Sequence, residues 1–168
     1  MDDSANAERL EQVSGERLRY VHSWGRFLVW RAAGVWTTDY KEALATELAK
    51  GVAVEFRKGL PPYNEKDPIS VMEHQWSKQM AQRSGLAAML TTLRARVLIR
   101  HEELDSDPEL LNVKNGTVAL RTGELLEHDR FDYITQQAAV DYEPDAQCPT
   151  WEACLKTWQP DPEIRHYL

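Results

Sequence analysis

The chain has 168 residues, 42% hydrophobic and 28% charged, which is the balance of a globular domain rather than a disordered segment. No apolar run reaches the roughly 18 residues that a membrane helix needs, the N-terminal MDDSANAERL is acidic and unlike a signal peptide, and two cysteines cannot form a disulfide scaffold. The net charge of −7 divides unevenly: residues 1–100 hold 15 Lys and Arg against 12 Asp and Glu, whereas residues 101–168 hold 5 against 15. A cytoplasmic protein with no membrane partner is the reading, and its basic part keeps nucleic acid open as a ligand.

Taken in order, the pattern predicts a short helix over Asn6–Val13, with Leu10 and Val13 inward and Gly15 as its stop. A three-stranded antiparallel meander follows from about residue 17 to 38, with Gly25 and Gly34 at its two turns. In its middle strand Phe27 and Val29 alternate with Leu28 and Trp30, so both faces of that strand should be covered. Asp39 and Glu42 have the spacing of a capping box for a helix carrying Leu44, Leu48, Val52 and Phe56 on one face, flanked by Ala45 and Ala49. The Pro-rich GLPPYNEKDP is a loop. Asp67-Pro68 then starts a second helix with Ile69, Met72, Trp76 and Met80 on one face, and Gly85 separates it from a third, in which Leu86, Met89, Leu90 and Leu93 face inward.

From His101 the chain turns to short strands. Asn115-Gly116 predicts a type I′ hairpin, and Thr122-Gly123 a second turn. Tyr133–Tyr142 reads as extended. Pro149 opens a helix with Trp151, Leu155 and Trp158 on one face, and Asp161-Pro162 opens another with Ile164, Tyr167 and Leu168 inward. That helix has no stop signal, which predicts that residues 1–168 are a single domain excised from a longer protein.

Few residues are spaced for chemistry. His101, Glu102, Glu103, Asp105 and Asp107 fit neither a zincin helix nor a calcium loop, and read as a solvated acidic turn; a metal-dependent nuclease built on them is a remote third possibility. Cys148, Cys154 and His166 lack zinc-site spacing, and the cysteines read as a small buried pair. There is no nucleophile elbow, and no phosphate loop for ATP and Mg. Nucleic-acid binding remains. Arg94, Arg96 and Arg100 cluster, and Arg17, Arg19, Arg26 and Arg31 are interleaved with Tyr20, Trp24, Phe27 and Trp30. Cations beside exposed aromatics hold single strands by phosphate charge and base stacking. The alternative is that the aromatics are core and the arginines a solvated rim.

Two stretches taken together carry a resemblance: SANAERLEQVSGERLRYVHSWGRFLVWRAAGVWTTD, and LDSDPELLNVKNGTVALRTGELLEHDRFDYITQQAAVDYEPDAQCPTWEACL. They resemble the domain that precedes the superfamily 3 helicase in phage and plasmid primases, shared with the poxvirus primase-helicase and with satellite-phage replication proteins. The more specific part is the later one, with Leu111-Asn112, Asn115-Gly116-Thr117, Leu120, Thr122-Gly123-Glu124, His128, Asp132-Tyr133, Thr135 and Cys148-Pro149 in family positions. Ala32-Ala33 depart from it, standing where the family usually has an acidic residue. The resemblance implies a phage, prophage or plasmid DNA primase-helicase in a bacterial host, with a helicase domain after residue 168 that alone binds ATP and Mg. It implies no catalytic residue and no metal here. The implied role is to link primase and ring helicase in a homo-oligomer, a hexamer by analogy, and to guide single-stranded or forked DNA. A pure oligomerisation collar with no DNA contact is the other possibility. The fold class expected is α+β: an aromatic meander and a second hairpin set of short antiparallel strands, a central helical region, and a C-terminal helical pair. The expected nucleic-acid-binding residues are Arg94, Arg96, Arg100, Arg26 and Trp24.

Overall fold

The computed structural model describes residues 3–165. Helix α1 (Asp3–Ser14) leads into strands β1 (Leu18–Val21), β2 (Arg26–Arg31) and β3 (Val35–Thr38), the expected antiparallel meander. Gly25 and Gly34 make its turns at φ +63° and +73°, the left-handed region that side chains with a Cβ avoid. Strand β4 (Leu98–Ile99) adds to the other edge, parallel to β1, giving the order β3-β2-β1-β4. The sequence does not signal that parallel pair, because two residues following a helix carry no alternation to read.

The period-2 alternation of β2 sorts its residues onto two cores. Phe27 and Val29 join Leu18 and Tyr20 against the helices, while Leu28 packs on the opposite face with Val21, Trp36, Ile99 and Leu104, flanked by Trp30 and Tyr133. Both faces are covered, as expected. Trp36 is fully buried, and its Nε1–H donates to the Arg130 carbonyl at 2.8 Å, so its burial leaves no donor unpaired.

The helical layer is α1, α2 (Ala43–Lys58), α3 (Pro68–Met80) and α4 (Arg83–Arg96). The apolar face of α4 is as predicted: Leu86, Met89, Leu90 and Leu93 are buried. In α1 the buried residues are Asn6, Ala7, Leu10 and Ser14, so Val13 points outward, contrary to expectation. The buried line of α2 is Ala45, Ala49, Val52 and Ala53; the small side chains let its backbone approach, and Leu44, Leu48 and Phe56 pack at the flanks. Helix α3 departs furthest. Ser70, Ser77 and Met80 are buried, Trp76 is half-buried, and Ile69 and Met72 are exposed. Each serine hydroxyl is bonded: Ser70 Oγ accepts from Asn64 N–H at 3.0 Å, and Ser77 Oγ donates to the His74 carbonyl at 2.9 Å. Gly85 lies inside the first turn of α4 rather than between helices. A Cβ there would stand 2.3 Å from the Gln79 carbonyl oxygen, so its bareness lets α4 begin against the end of α3.

Strands β5 (Leu110–Val113), β6 (Gly116–Ala119) and β7 (Glu124–Leu126) form a separate antiparallel sheet. The two β regions do not share a sheet. Val113 pairs with Gly116, so the first hairpin turns on Lys114-Asn115, neither at positive φ, and the type I′ turn at Asn115-Gly116 is not formed. The Asn115 side chain is engaged elsewhere, with its Oδ1 accepting from Tyr142 N–H and its Nδ2–H donating to the Tyr142 carbonyl. Gly116 is bare because the Leu126 carbonyl oxygen would lie 2.4 Å from a Cβ.

Residues 133–142 form a strap rather than a strand. Trp36 N–H donates to the Ile134 carbonyl, Ala138 N–H to Asn112, and Lys114 N–H to Val140, so the strap is bonded to the edges of both sheets. Buried Asn112 completes the seam, its Nδ2–H donating to the Gly34 carbonyl at 2.8 Å, and Gln137 Nε2 donates to the Ala33 carbonyl at 2.6 Å. The Ala32-Ala33 turn that departs from the family pattern is therefore docked on the second sheet through its backbone. Finally α5 (Pro149–Trp158) and α6 (Pro162–Arg165) form the C-terminal pair and contain no buried residue. Ile164 is exposed rather than inward, and Tyr167 and Leu168 lie outside the described residues. No helix among the described residues is long and apolar enough to cross a membrane.

Candidate nucleic-acid interface

Strand direction decides which side chains meet. Arg26 stands opposite Val21, Ile99 stands beside Val21, and Asp39 N–H donates to the Phe27 carbonyl. The His22–Trp24 turn, Arg26, the Tyr40–Lys41 turn and Arg100 therefore gather at one end of the first sheet. Trp24 is 46% and Tyr40 75% exposed, and the Lys41 ammonium lies 5.3 Å from the Tyr40 ring centroid.

Of the five residues expected to bind nucleic acid, Trp24, Arg26 and Arg100 lie at this end, and Arg94 lies beside it. Arg94 is half-buried, donating to Glu42 at 2.8 Å while its guanidinium sits over the rings of Tyr20 and Phe27, 5.3 and 6.0 Å from their centroids. Arg100 pairs with Glu103 at 2.8 Å; that hydrogen bond draws the Glu103 carboxyl below its usual range and raises the Arg100 guanidinium further. Arg96 turns away to Glu11 of α1 at 2.6 Å. The three clustered arginines thus each hold a carboxylate, on three different elements, and do not form a single patch. Of the interleaved residues, Tyr20 and Phe27 are core, while Arg26 has no ion-pair partner among the described residues.

The turn before α2 carries local strain. Lys41 and Glu42 both adopt φ +54°, a left-handed conformation rare for residues with side chains. What holds it is Asp39, buried, whose two carboxylate oxygens accept from Leu44 N–H at 3.0 Å and Ala45 N–H at 2.9 Å. The expected capping box is replaced: Asp39 reaches past the extra turn to the helix amides, and Glu42, swung out by the left-handed backbone, takes Arg94 instead.

Sequence reasoning missed Tyr40, Lys41, Lys50 and Arg83. Glu42 lines two adjoining grooves, one with Gly25, Arg26, Tyr40 and Lys41, the other between α2 and α4 with Lys50, Arg83 and Arg94. Tyr40-Lys41 is a basic–aromatic pair of the kind already weighed in the meander; Lys50 and Arg83 carry no signal until α2 and α4 are packed together.

The acidic cluster is structural in its contacts. Both carboxylate oxygens of Asp105 accept from Thr135, one from its N–H and one from its hydroxyl, and Asp107 accepts from Glu109 N–H at 2.9 Å. Cys148 is exposed and Cys154 half-buried, so they are not a buried pair, and His166 lies outside the described residues. Among the described residues no three His, Cys, Asp or Glu side chains converge.

These features define an α+β domain with two closed cores, one basic and aromatic sheet end, and an unpacked C-terminal helix pair. Comparison with protein families matches residues 7–160 to the family described as D5 N terminal like. The chain belongs to that family, the N-terminal domain of D5-type primase-helicases, which act in DNA replication. No curated protein matches it.

Proposed function

We propose that this domain is a non-catalytic adaptor in a D5-type DNA primase-helicase, linking the primase to the ring helicase and guiding DNA between them. One observation carries the reading. The body of the domain is closed by two cores, yet α5 and α6 leave their apolar residues outside: Trp151, Trp158 and Ile164 are 54%, 70% and 48% exposed, and the two indoles stack edge-to-face at 6.1 Å. Exposed aromatic surface of this kind is what a protein contact covers. The occupant in this reading is the neighbouring part of the same protein, which membership in the family of primase-helicase N-terminal domains supports. ATP and Mg belong, in this reading, to the helicase part.

The reading is tested in the parent protein with Trp151→Ser/Trp158→Ser, measured by sedimentation velocity. The expected result is loss of the homo-oligomer at concentrations where the wild type is assembled. Unchanged assembly with unchanged DNA unwinding overturns the adaptor role of the helix pair. A pure assembly collar is the competing reading, and the same helices favour it equally. The exposed Trp24, Arg26, Tyr40 and Lys41 favour DNA guiding over it, since a collar has no use for stacking surface beside cations that no carboxylate among the described residues pairs.

A further inference from the structure

We propose that the two grooves joined at Glu42 form one track for a single strand of DNA, running from the sheet end into the cleft between α2 and α4. This rests on the DNA-guiding reading above and says where the strand lies.

The geometry of the helices makes the cleft a groove. Glu42, at the start of α2, meets Arg94, near the end of α4, so the two helices run antiparallel, with Lys50 facing the Arg83 end. From Arg83 to Arg94 is 11 residues, about 16 Å at 1.5 Å per residue. The floor is apolar, with Leu86 and Leu90, and the walls carry Lys50, Arg83 and Arg94. At the other side of Glu42 the track continues past Lys41 and Tyr40 to Arg26, with Trp24 next to the groove-lining Gly25.

Charge favours a polyanion. Among the described residues no carboxylate pairs with Arg26, Lys41 or Arg83, and Lys50 has only the exposed Glu47 one helical turn away, an interaction of little worth. The two acids at the junction are both engaged: Asp39 caps α2 and Glu42 holds Arg94. Arg83 stands at the first position of α4, where a cation opposes the helix dipole and no acid in the first turn offsets it. A residue that costs its own helix stability is explained by an anionic ligand. The aromatics select the form of that ligand: Trp24 and Tyr40 are exposed rings, the latter with Lys41 over it, that suit unstacked bases, which a duplex does not present.

The test is fluorescence anisotropy of labelled oligo-dT with this chain, titrated in salt, for the wild type and for Lys50→Glu/Arg83→Glu. All the substituted positions are exposed, and circular dichroism checks that each variant folds. The track predicts at least a tenfold loss of affinity in the double variant, and a log–log salt slope shallower by about 1.4, or 0.7 for each phosphate no longer neutralised. Tyr40→Ala should weaken binding several-fold without changing the slope. The control is Lys114→Glu/Arg121→Glu on the second sheet, and it should bind as the wild type does. Equal losses in both double variants, or none in either, overturn the track while leaving DNA binding intact. Equal affinity for duplex overturns the single-strand assignment. No binding by the wild type at low salt overturns the track and the DNA-guiding reading together.

Discussion

At the scale of single residues, Gly34 joins parts of the chain that are distant in sequence. Gly34 is buried at positive φ, with the His128 ring 2.0 Å from where a Cβ would stand, so Gly34→Ala meets both a backbone penalty of about 1–2 kcal/mol and a clash with a ring. We expect urea denaturation to show at least that loss, with His128→Ala partly rescuing it. Asp39 supports two helix amides from a buried position, and Asp39→Ala should cost about 0.5–2 kcal/mol by the same measurement. Asp132 is of the opposite kind. Burial, then the nearby charges of Asp129 and Asp107, raise its carboxyl above the usual range. The folded chain therefore holds that proton more tightly than the unfolded one, so ionised Asp132 costs stability at neutral pH, and the cost fades as pH falls through its raised value. Asp132→Asn should then melt higher than the wild type at neutral pH, the gap closing in acid; a gap constant with pH would contradict this. The glycine at its turn and the aspartate before its helix were legible in the sequence; the contact of Gly34 with His128 was not, because a partner that far along the chain leaves no local mark.

At the scale of elements, period and propensity revealed most of what exists and less of which way it faces. The meander, α4 with its four inward residues, the Asp67-Pro68 start of α3 and the Pro149 start of α5 were readable because each rests on local patterning. Asp67 does accept from Ile69 N–H at 3.0 Å. The face of α3 was misread because hydrophobicity marks the large residues, while close helix packing selects small ones, here Ser70 and Ser77; α2 carries the expected face, with Leu44, Leu48 and Phe56 packed beside buried Ala45, Ala49 and Val52. The hairpin failed differently. Asn-Gly favours its own turn, but Asn115 bonded to Tyr142 and Gly116 needed under Leu126 shift the loop back one residue. The candidate site divided in the same way. Arg26 and Trp24 were visible as basic and aromatic neighbours, whereas Lys50 and Arg83 become neighbours only when α2 packs on α4. Arg83 yields a prediction at this scale: Arg83→Glu should raise stability by about 0.3–1 kcal/mol through the helix dipole, even as DNA affinity falls. Thermal melting reads it, and a destabilised variant would show that Arg83 serves the fold.

At the scale of the whole molecule, the domain is two sheets stapled by the 133–142 strap, with one end of the first sheet left basic and aromatic and a helix pair left unpacked. The family resemblance was legible in residues of the strap and second sheet, among them Asn112, whose Nδ2–H donates to the Gly34 carbonyl and joins the two sheets, and Thr135, which ties the strap to Asp105. What the helix pair does could be read only in outline, since a stripe of Trp151, Leu155 and Trp158 looks the same whether it faces a core or a partner. The exposure of Trp151, Trp158 and Ile164 is the basis of the proposed adaptor role, and Trp151→Ser/Trp158→Ser should leave the melting temperature of this chain unchanged while disrupting the parent assembly. The most direct test of that role is amide hydrogen exchange over residues 149–165, compared between this chain and the intact primase-helicase. The account predicts fast exchange in the isolated chain and strong protection in the intact protein. Equal exchange in the two would mean that nothing covers these helices, and the adaptor role assigned to them would fall.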